Sequence, residues 1–292
     1  MKAAAELVRG LAVLSERPRR EDSPIATALE LPVPESLEAW QAAHTATFLQ
    51  QCPPYASIYL GEAGALGGPV RDRVAGLWRA LGLRAPGEPD HLATLLALYA
   101  GVLEQAGADD RWQHLRRVVL WEHLLPWLPP FLERVEAVGE GPYPEWSRML
   151  QRLLRAEAEA TGIPPELPLH LRALEAPSPG GWDGDVDAVL GPLLAPARSG
   201  VILPPADLRR LARDTGLGMR MGDRRLMLRS LLEQDATAVS GWIAGAALCR
   251  CERLRVEERW LGAVARHWRD RAAATACWLA PGEVPDAMAE NG

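Results

Sequence analysis

The sequence is poor in lysine and cysteine, and each scarcity excludes a class of protein. Lys2 is the only lysine, and 32 basic residues face 38 acidic ones, which gives a formal net charge of −6. A general nucleic-acid-binding protein is usually basic, so the overall charge argues against that class. Four cysteines in 292 residues are too few for a disulfide framework, and they fit a reducing compartment.

Long hydrophobic runs are also missing. No stretch approaches 18 uninterrupted apolar residues, so we expect no membrane span. The first residues faintly resemble a signal peptide, but Glu6 and Arg9 interrupt the apolar run and no cleavage site follows it. By elimination, we expect a cytoplasmic protein.

Signatures of common enzyme classes are absent from the sequence. There is no Gly-x-Ser-x-Gly, no Walker phosphate loop and no Gly-x-Gly-x-x-Gly after a strand. His114, Glu122 and His123 share one segment without forming the zinc motif His-Glu-x-x-His. Cys249-x-Cys251 has neither the usual spacing nor the second pair of a structural zinc site. We therefore expect no enzymatic activity, no catalytic residues, no metal and no cofactor.

What the chain does contain is helical periodicity. Val70, Val74 and Leu77 share one helical face, and no run of β-branched residues alternates with polar ones. The pattern predicts an all-α fold. Ser36 is expected to cap a helix that carries Trp40. Further helices are predicted at 70–81, 92–103, 115–125, 127–135, 146–160, 185–194, 205–215, 223–234, 238–250 and 253–279.

Proline and glycine separate these helices, and their longest cluster, 176–181, predicts a linker. It divides the chain into a main helical domain, residues 1–175, and a C-terminal helical extension, residues 182–280. Residues 281–292 form a short polar stretch without periodicity, which is typical of a flexible tail.

A dense polar motif, Gly87-Glu88-Pro89-Asp90-His91-Leu92, precedes the apolar helix 92–103. Pro89 is expected at the first position of this helix, and Glu88 and Asp90 place carboxylates at the positive end of its dipole. The neighbouring carboxylate and imidazole could form a hydrogen-bonded cap that holds the preceding loop, or they could receive a basic peptide. The two interpretations are compatible.

Three segments together carry a family resemblance. The segments are Pro54-Tyr55 with Tyr59, then Glu88-Pro89-Asp90-His91-Leu92, then Trp121-Glu122-His123-Leu124-Leu125-Pro126-Trp127. With this spacing, roughly residues 38–160 resemble the TorD/DmsD/NarJ redox-enzyme maturation chaperones. The resemblance implies a TorD-like helical bundle that binds the twin-arginine signal peptide, and often the body, of a molybdenum- or tungsten-cofactor oxidoreductase. It would assist cofactor insertion, folding and assembly before export. The part after about Gly180 departs from the compact members of the family.

The resemblance also implies a set of peptide-binding residues. Carboxylates would receive the paired arginines of a signal peptide, and amphipathic aromatic residues are common at binding hot spots. For the two tyrosines, packing of a loop onto the core is the alternative; for Trp121 and Trp127 core packing is favoured. The expected contacts are Tyr55, Tyr59, Trp78, Glu88, Pro89, Asp90, His91, Glu122 and His123.

The extension offers rival interpretations. Residues 205–229 resemble a helix-turn-helix, and eight arginines face three aspartates from Arg198 to Arg229, so a DNA-binding regulator is one alternative. The apolar residues of 226–232 read as a core stripe instead, which favours a helical hairpin with a solvated arginine face. A scaffold subunit that stays bound to its enzyme is a third possibility.

Three tryptophans are spaced along the predicted last helix. Trp260 and Trp268 are about two turns apart, so we expect them on one face, followed by Trp278. That face would pack against the main domain or form the interface of a homodimer.

Overall fold

The computed structural model describes residues 2–62, 64–107, 109–175 and 185–280, and helices dominate all four ranges. These ranges contain no β-strand, so the predicted all-α fold is confirmed. The predicted linker 176–181 and the predicted tail 281–292 lie outside the described residues. The division into a main domain and an extension therefore stays a prediction.

The main part contains the helices predicted for it, together with three short helices that were not predicted, Ser23–Ala28, Ala56–Leu60 and Leu169–Arg172. A π-helical turn, Thr45–Gln51, continues the third helix, and another, Val119–Leu124, continues the seventh. The helices are α1 (Lys2–Leu14), α2 (Ser23–Ala28), α3 (Leu37–His44), α4 (Ala56–Leu60), α5 (Gly68–Ala80), α6 (Leu92–Gln105), α7 (Asp110–Val118), α8 (Leu128–Val138), α9 (Tyr143–Thr161) and α10 (Leu169–Arg172).

The extension adds six helices among its described residues, and the predicted helices at 205–215 and 223–234 are confirmed among them. They are α11 (Val186–Leu194), α12 (Pro196–Ser199), α13 (Pro205–Thr215), α14 (Arg224–Leu232), α15 (Ala236–Leu261) and α16 (Ala263–Leu279).

Side-chain caps set several helix starts. Ser36 Oγ accepts a hydrogen bond from the Ala39 amide at 3.1 Å, which confirms the predicted cap of α3. The helices α7, α14 and α15 are capped in the same way, by the carboxylates of Asp109, Asp223 and Asp235, each of which accepts a hydrogen bond from a backbone amide. Each carboxylate satisfies an amide that has no partner within its own helix and lies at the positive end of the helix dipole.

The predicted break between residues 250 and 253 was wrong. The chain stays helical through this point, and the two last helices meet instead at Gly262, which has φ +53°. A Cβ atom here would lie 2.5 Å from Ile163 Cγ2, so glycine is required both by conformation and by space. Trp260 consequently belongs to α15 and Trp268 to α16, rather than to one helical face.

The main core takes side chains from both parts of the chain. Helix α1 packs on α6, and α8 packs on α9. Trp121 and Trp127 lie in this core, which confirms the packing interpretation. Trp268 also belongs to it, and its Nε1 donates to the Pro126 carbonyl at 2.9 Å. The long helical hairpin α15–α16 is thereby fixed to the main part of the fold.

A second, smaller core joins α11, α13 and α14 to one side of α15. It contains Trp278 and the apolar side of α14, whose Met227, Leu228, Leu231 and Leu232 are buried. The predicted core stripe is confirmed for these four residues, whereas Leu226 is 37% exposed. In the part of the chain that the structure covers, no helix is both long and apolar enough to span a bilayer.

Candidate functional site

The Glu-Pro-Asp-His motif is fixed to the start of α4 by a short backbone pairing. Tyr55 and His91 form an antiparallel bridge. The Ala56 amide donates to the Asp90 carbonyl at 3.0 Å, and the Leu92 amide donates to the Pro54 carbonyl at 2.8 Å. Two of the three segments that carry the family resemblance are therefore in direct contact.

Asp90 and His91 each cap a different helix. Asp90 is only 2% exposed, and its Oδ2 accepts from the Ser57 amide in the first turn of α4 at 3.2 Å. His91 is the N-cap of α6, and its Nδ1 accepts from the Ala93 amide at 3.1 Å. The capping interpretation therefore holds, but each side chain bonds to a backbone amide and not to its neighbour.

Pro89 does not occupy the first helical position, so that prediction was wrong. His91 has the extended backbone of an N-cap, with ψ 141°, and α6 begins only at Leu92. Pro89 lies in the loop ahead of this cap and is buried.

Three residues of the motif region reach the surface together, and we call them the α6 head: Tyr55, Glu88 and His91. The Tyr55 hydroxyl donates to Glu88 Oε1 at 3.1 Å, and the Tyr55 ring meets the His91 ring edge-on at 4.8 Å. Burial lowers the pKa of His91, which favours the neutral ring. Since Nδ1 accepts a hydrogen bond, Nε2 carries the proton. Burial, with Glu88 next, raises the pKa of Tyr55 to about 12.

An apolar cleft of about 440 Å³ runs beside the same helix, and we call it the α5–α7 groove. Trp78 contributes to it from α5 and is half-buried, with an indole N–H that has no hydrogen-bond partner in the described structure. Gly101 lies in the groove wall, where an added Cβ would meet nothing within 4 Å. The apolar lining is completed by Leu81, Leu83, Leu98, Val102, Trp112 and Leu115.

Glu122 and His123 belong to another part of the surface. Glu122 Oε2 accepts from the Leu169 amide at 2.8 Å and so holds the start of α10. The His123 ring lies edge-on to the His170 ring at 5.4 Å. Burial lowers the pKa of His123 to about 4. These two predicted contacts are thus engaged with α10, 47 residues further along the chain.

Tyr59 is a core residue. It is 1% exposed, stacks on Trp127 with ring centroids 5.4 Å apart, and meets the edge of Phe131. A contact with a partner requires an accessible side chain, and neither Tyr59 nor Asp90 offers one. Of the expected contacts, the structure groups Tyr55, Glu88 and His91 at the head of α6 and places Trp78 in the groove beside that helix.

Three of the seven arginines of 205–229 form ion pairs within the extension. Arg225 and Arg229 form ion pairs with Asp187 of α11. Arg210 pairs with Asp207 at 2.8 Å. With the apolar side of α14 buried, these contacts favour the helical hairpin over a helix that reads DNA.

Residues 16–133 match the family of the nitrate reductase delta subunit. We call this stretch, which is less than half of the chain, the delta-family segment. The nitrate reductase delta family is a family of molybdoenzyme maturation chaperones, which confirms the resemblance drawn from the three motifs. Comparison with curated proteins gives no match. The delta-family segment includes the α6 head and all of the α5–α7 groove, whereas the extension lies beyond it.

Within the delta-family segment, sequence reasoning missed one wall of the groove. Trp112 and Leu115 are three residues apart on α7, and both are half-buried. Their helical spacing is visible in the sequence, but it is equally typical of core packing. Only the position of α7 beside α5 and α6 shows that these side chains line an open cleft.

Proposed function

We propose that the protein is a cytoplasmic chaperone that reversibly binds the N-terminal signal peptide of a molybdoenzyme precursor. The partner is the precursor of a molybdenum- or tungsten-cofactor oxidoreductase, held competent for cofactor insertion and assembly. No bond is made or broken in this action, so the protein is not an enzyme. The delta-family match supports the class of partner.

The observation that carries the proposal is the position of a carboxylate and an apolar groove along one helix. Glu88 is exposed just ahead of α6, and Leu98 lies in the groove two turns into it. At the rise of an α-helix, His91 and Leu98 are separated by about 10 Å along the axis. The resemblance to the TorD/DmsD/NarJ chaperones implies a peptide in which paired arginines precede an apolar stretch. Such a peptide would place its arginines near Glu88 and its apolar stretch in the groove.

Both halves of this arrangement use well-known recognition modes. An arginine can form a charge-assisted, two-point hydrogen bond with a carboxylate such as Glu88. An apolar peptide helix can lie in a cleft between helices, as in other helix-in-groove complexes. Trp78 and Trp112 are residues of the kind that dominate the energy of such interfaces.

The test is a titration with a fluorescently labelled twin-arginine signal peptide, in which paired arginines precede an apolar stretch. We expect Glu88→Gln to weaken binding, because it removes the negative charge. Gly101→Leu fills the groove without a backbone clash, and we expect it to weaken binding by about tenfold or more, which corresponds to roughly 1.4 kcal/mol.

A matched control is Gly76→Leu in α5. Its Cβ would meet only the end of the Arg79 side chain, at 3.9 Å, and Gly76 does not line the groove. This variant should bind the peptide like the unmodified protein. If Gly101→Leu and Glu88→Gln also bind unchanged, the proposed surface is not the binding site.

A further inference from the structure

A cavity of about 480 Å³ lies between the main part of the fold and the extension, and we call it the arginine cavity. Helix α8 contributes Arg134 to it, α13 contributes Arg210, and α15 contributes Arg250 and Arg253. The volume falls in the range of small-molecule pockets. The cavity lies beyond residues 16–133 and involves none of the residues of the proposed peptide surface.

Arg250 lines this cavity and has two buried donors without a hydrogen-bond partner among the described residues. It is 5% exposed, its Nη1 donates to Glu133, and its guanidinium lies over the Trp268 ring at 5.7 Å from the ring centre. Its Nε and Nη2 are buried and have no hydrogen-bond partner in the described structure. These two atoms form one edge of the guanidinium, with parallel N–H groups suited to two oxygens of one anion. A guanidinium cannot lose its proton, so both donors persist at every physiological pH.

Arg134 also has donors without a hydrogen-bond partner. Its Nη2 lies 2.8 Å from Asp207 Oδ2, but at an angle too oblique for a hydrogen bond, and its Nε has no partner among the described residues. Buried donors that lack acceptors are costly, and here they occur in two guanidinium groups of one cavity. An anion between α8 and α15 would provide the missing acceptors.

The formal charges around the cavity are balanced. Four arginines line it, against Asp207 and Asp214 in its wall and Glu133 behind Arg250 and Arg253. Glu257 also interacts with Arg250 and Arg253, so four arginines face four carboxylates, and it is the unpartnered guanidinium donors that favour an anion. Burial raises the pKa of Asp207 and that of Glu257, because it disfavours the ionised form of both carboxyl groups.

We propose that the arginine cavity binds the phosphate group of a small-molecule ligand. A phosphate offers three acceptor oxygens and up to two negative charges, so it can engage Arg250 and Arg134 together. A carboxylate has two oxygens and one charge and would occupy a single guanidinium edge. Trp242, whose Nε1 is held by Asp214 at 2.9 Å, supplies an aromatic wall for the remainder of the ligand.

The cavity can be blocked without disturbing its arginines. Gly241 and Gly245 of α15 line it, and a Cβ added at either position would meet nothing within 4 Å. Gly245→Leu therefore places its side chain in the cavity while improving the helix propensity of α15. Gly101→Leu is the matched control, because it adds the same side chain to a helix elsewhere.

The experiment measures ³¹P NMR line broadening of inorganic phosphate, and of pyrophosphate as a second probe, with the full chain at low ionic strength. We expect both probes to broaden with the unmodified protein and with Gly101→Leu. Broadening should be lost with Gly245→Leu. It should weaken at least several-fold with Arg250→Lys, which keeps the charge beside Glu133 but removes the two-donor edge.

Several outcomes would overturn the proposal. No broadening with the unmodified protein would show that the cavity does not bind phosphate, and unchanged broadening with Gly245→Leu would place phosphate elsewhere. Acetate that competes as strongly as phosphate would assign the site to carboxylates. Arg250→Lys need not fold for the test to stand, because Gly245→Leu leaves every arginine in place. None of these results depends on peptide binding, so this proposal and the proposed function can fail separately.

Discussion

Asp90 and Glu88 lie two residues apart, yet one is a buried cap and the other an exposed charge. Replacing Asp90 with alanine leaves the Ser57 amide buried without its acceptor, so we expect the free energy of unfolding to fall by about 1–3 kcal/mol. Glu88→Ala should change it by no more than about 0.5 kcal/mol, as is usual for exposed positions. Urea denaturation followed by circular dichroism measures both; equal losses would contradict the assigned roles.

The contrast between Asp90 and Glu88 shows which properties of single residues can be predicted from the sequence. The adjacency of Asp90 and His91 is visible in the sequence, and so is their position before a helix. Their burial and their partners are not visible, because the Ser57 amide comes from 33 residues earlier in the chain. Likewise, Glu122 looks like a free carboxylate until α10 supplies the Leu169 amide.

Two buried histidines predict how stability depends on pH. Burial lowers the pKa of His123 to about 4 and that of His170 to about 3, and the Nδ1 atoms of both rings lack partners among the described residues. A histidine in the unfolded chain titrates near pH 6.5. Below that pH the unfolded chain binds protons at these two positions, whereas the folded protein does not. Stability is therefore full above about pH 6.5 and falls as the pH drops towards about 4, by at most about 1.4 kcal/mol per pH unit for each histidine.

The test compares urea denaturation at pH 7 and pH 5 for two matched variants. His170→Gln removes one buried titrating ring, so its stability should depend on pH less steeply than that of the unmodified protein. His114→Gln alters an exposed ring on α7 and should keep the original slope. Equal slopes in the two variants would show that His170 does not stay neutral in the folded state.

At the scale of elements, periodicity predicted the helices well but not where the last two are divided. The residues around Gly262 continue a helical pattern, so the sequence favoured one long helix to residue 279. What ends α15 is a positive φ of 53° together with the approach of Ile163, a residue about 100 positions earlier. A glycine in the sequence does not by itself indicate the end of a helix, because Gly241 and Gly245 lie inside α15.

That contrast gives a matched pair of variants. Gly262→Ala forces a Cβ to within 2.5 Å of Ile163 Cγ2 at a positive φ, so we expect a loss of stability of about 1–3 kcal/mol. Gly241→Ala meets open space in a helix and should stabilise by about 0.5–1 kcal/mol. Thermal unfolding measures both changes; a stabilised Gly262→Ala protein would show that the helices are not divided there.

At the scale of the whole molecule, the extension is bound to the main part through buried contacts. Trp268 donates to the Pro126 carbonyl, Arg134 pairs with Asp207, and the Ala206 amide donates to Gln51 Oε1 at 2.8 Å. Packing of Trp268 on the main part was one of two alternatives drawn from the sequence. The polar contacts join residues more than 70 positions apart, so the sequence could not predict them.

These contacts predict cooperative unfolding. We expect tryptophan fluorescence and far-ultraviolet circular dichroism to report a single, coincident urea transition. Trp268→Ala should lower the free energy of unfolding by about 3–5 kcal/mol, because it leaves a large hole in the main core. Two separate transitions in the unmodified protein would show that the extension folds independently of the main part.

The central claim is that a signal peptide lies along α6, with its arginines at the α6 head and its apolar stretch in the α5–α7 groove. Photo-crosslinking tests it most directly. A twin-arginine signal peptide would carry benzoylphenylalanine in its apolar stretch, and mass spectrometry would locate the crosslinks. We expect crosslinks to Trp78, Leu83, Leu98 or Trp112. These crosslinks should be lost in the Gly101→Leu variant and kept in the Gly245→Leu variant. Crosslinks confined to residues 185–280, or unaffected by Gly101→Leu, would contradict it.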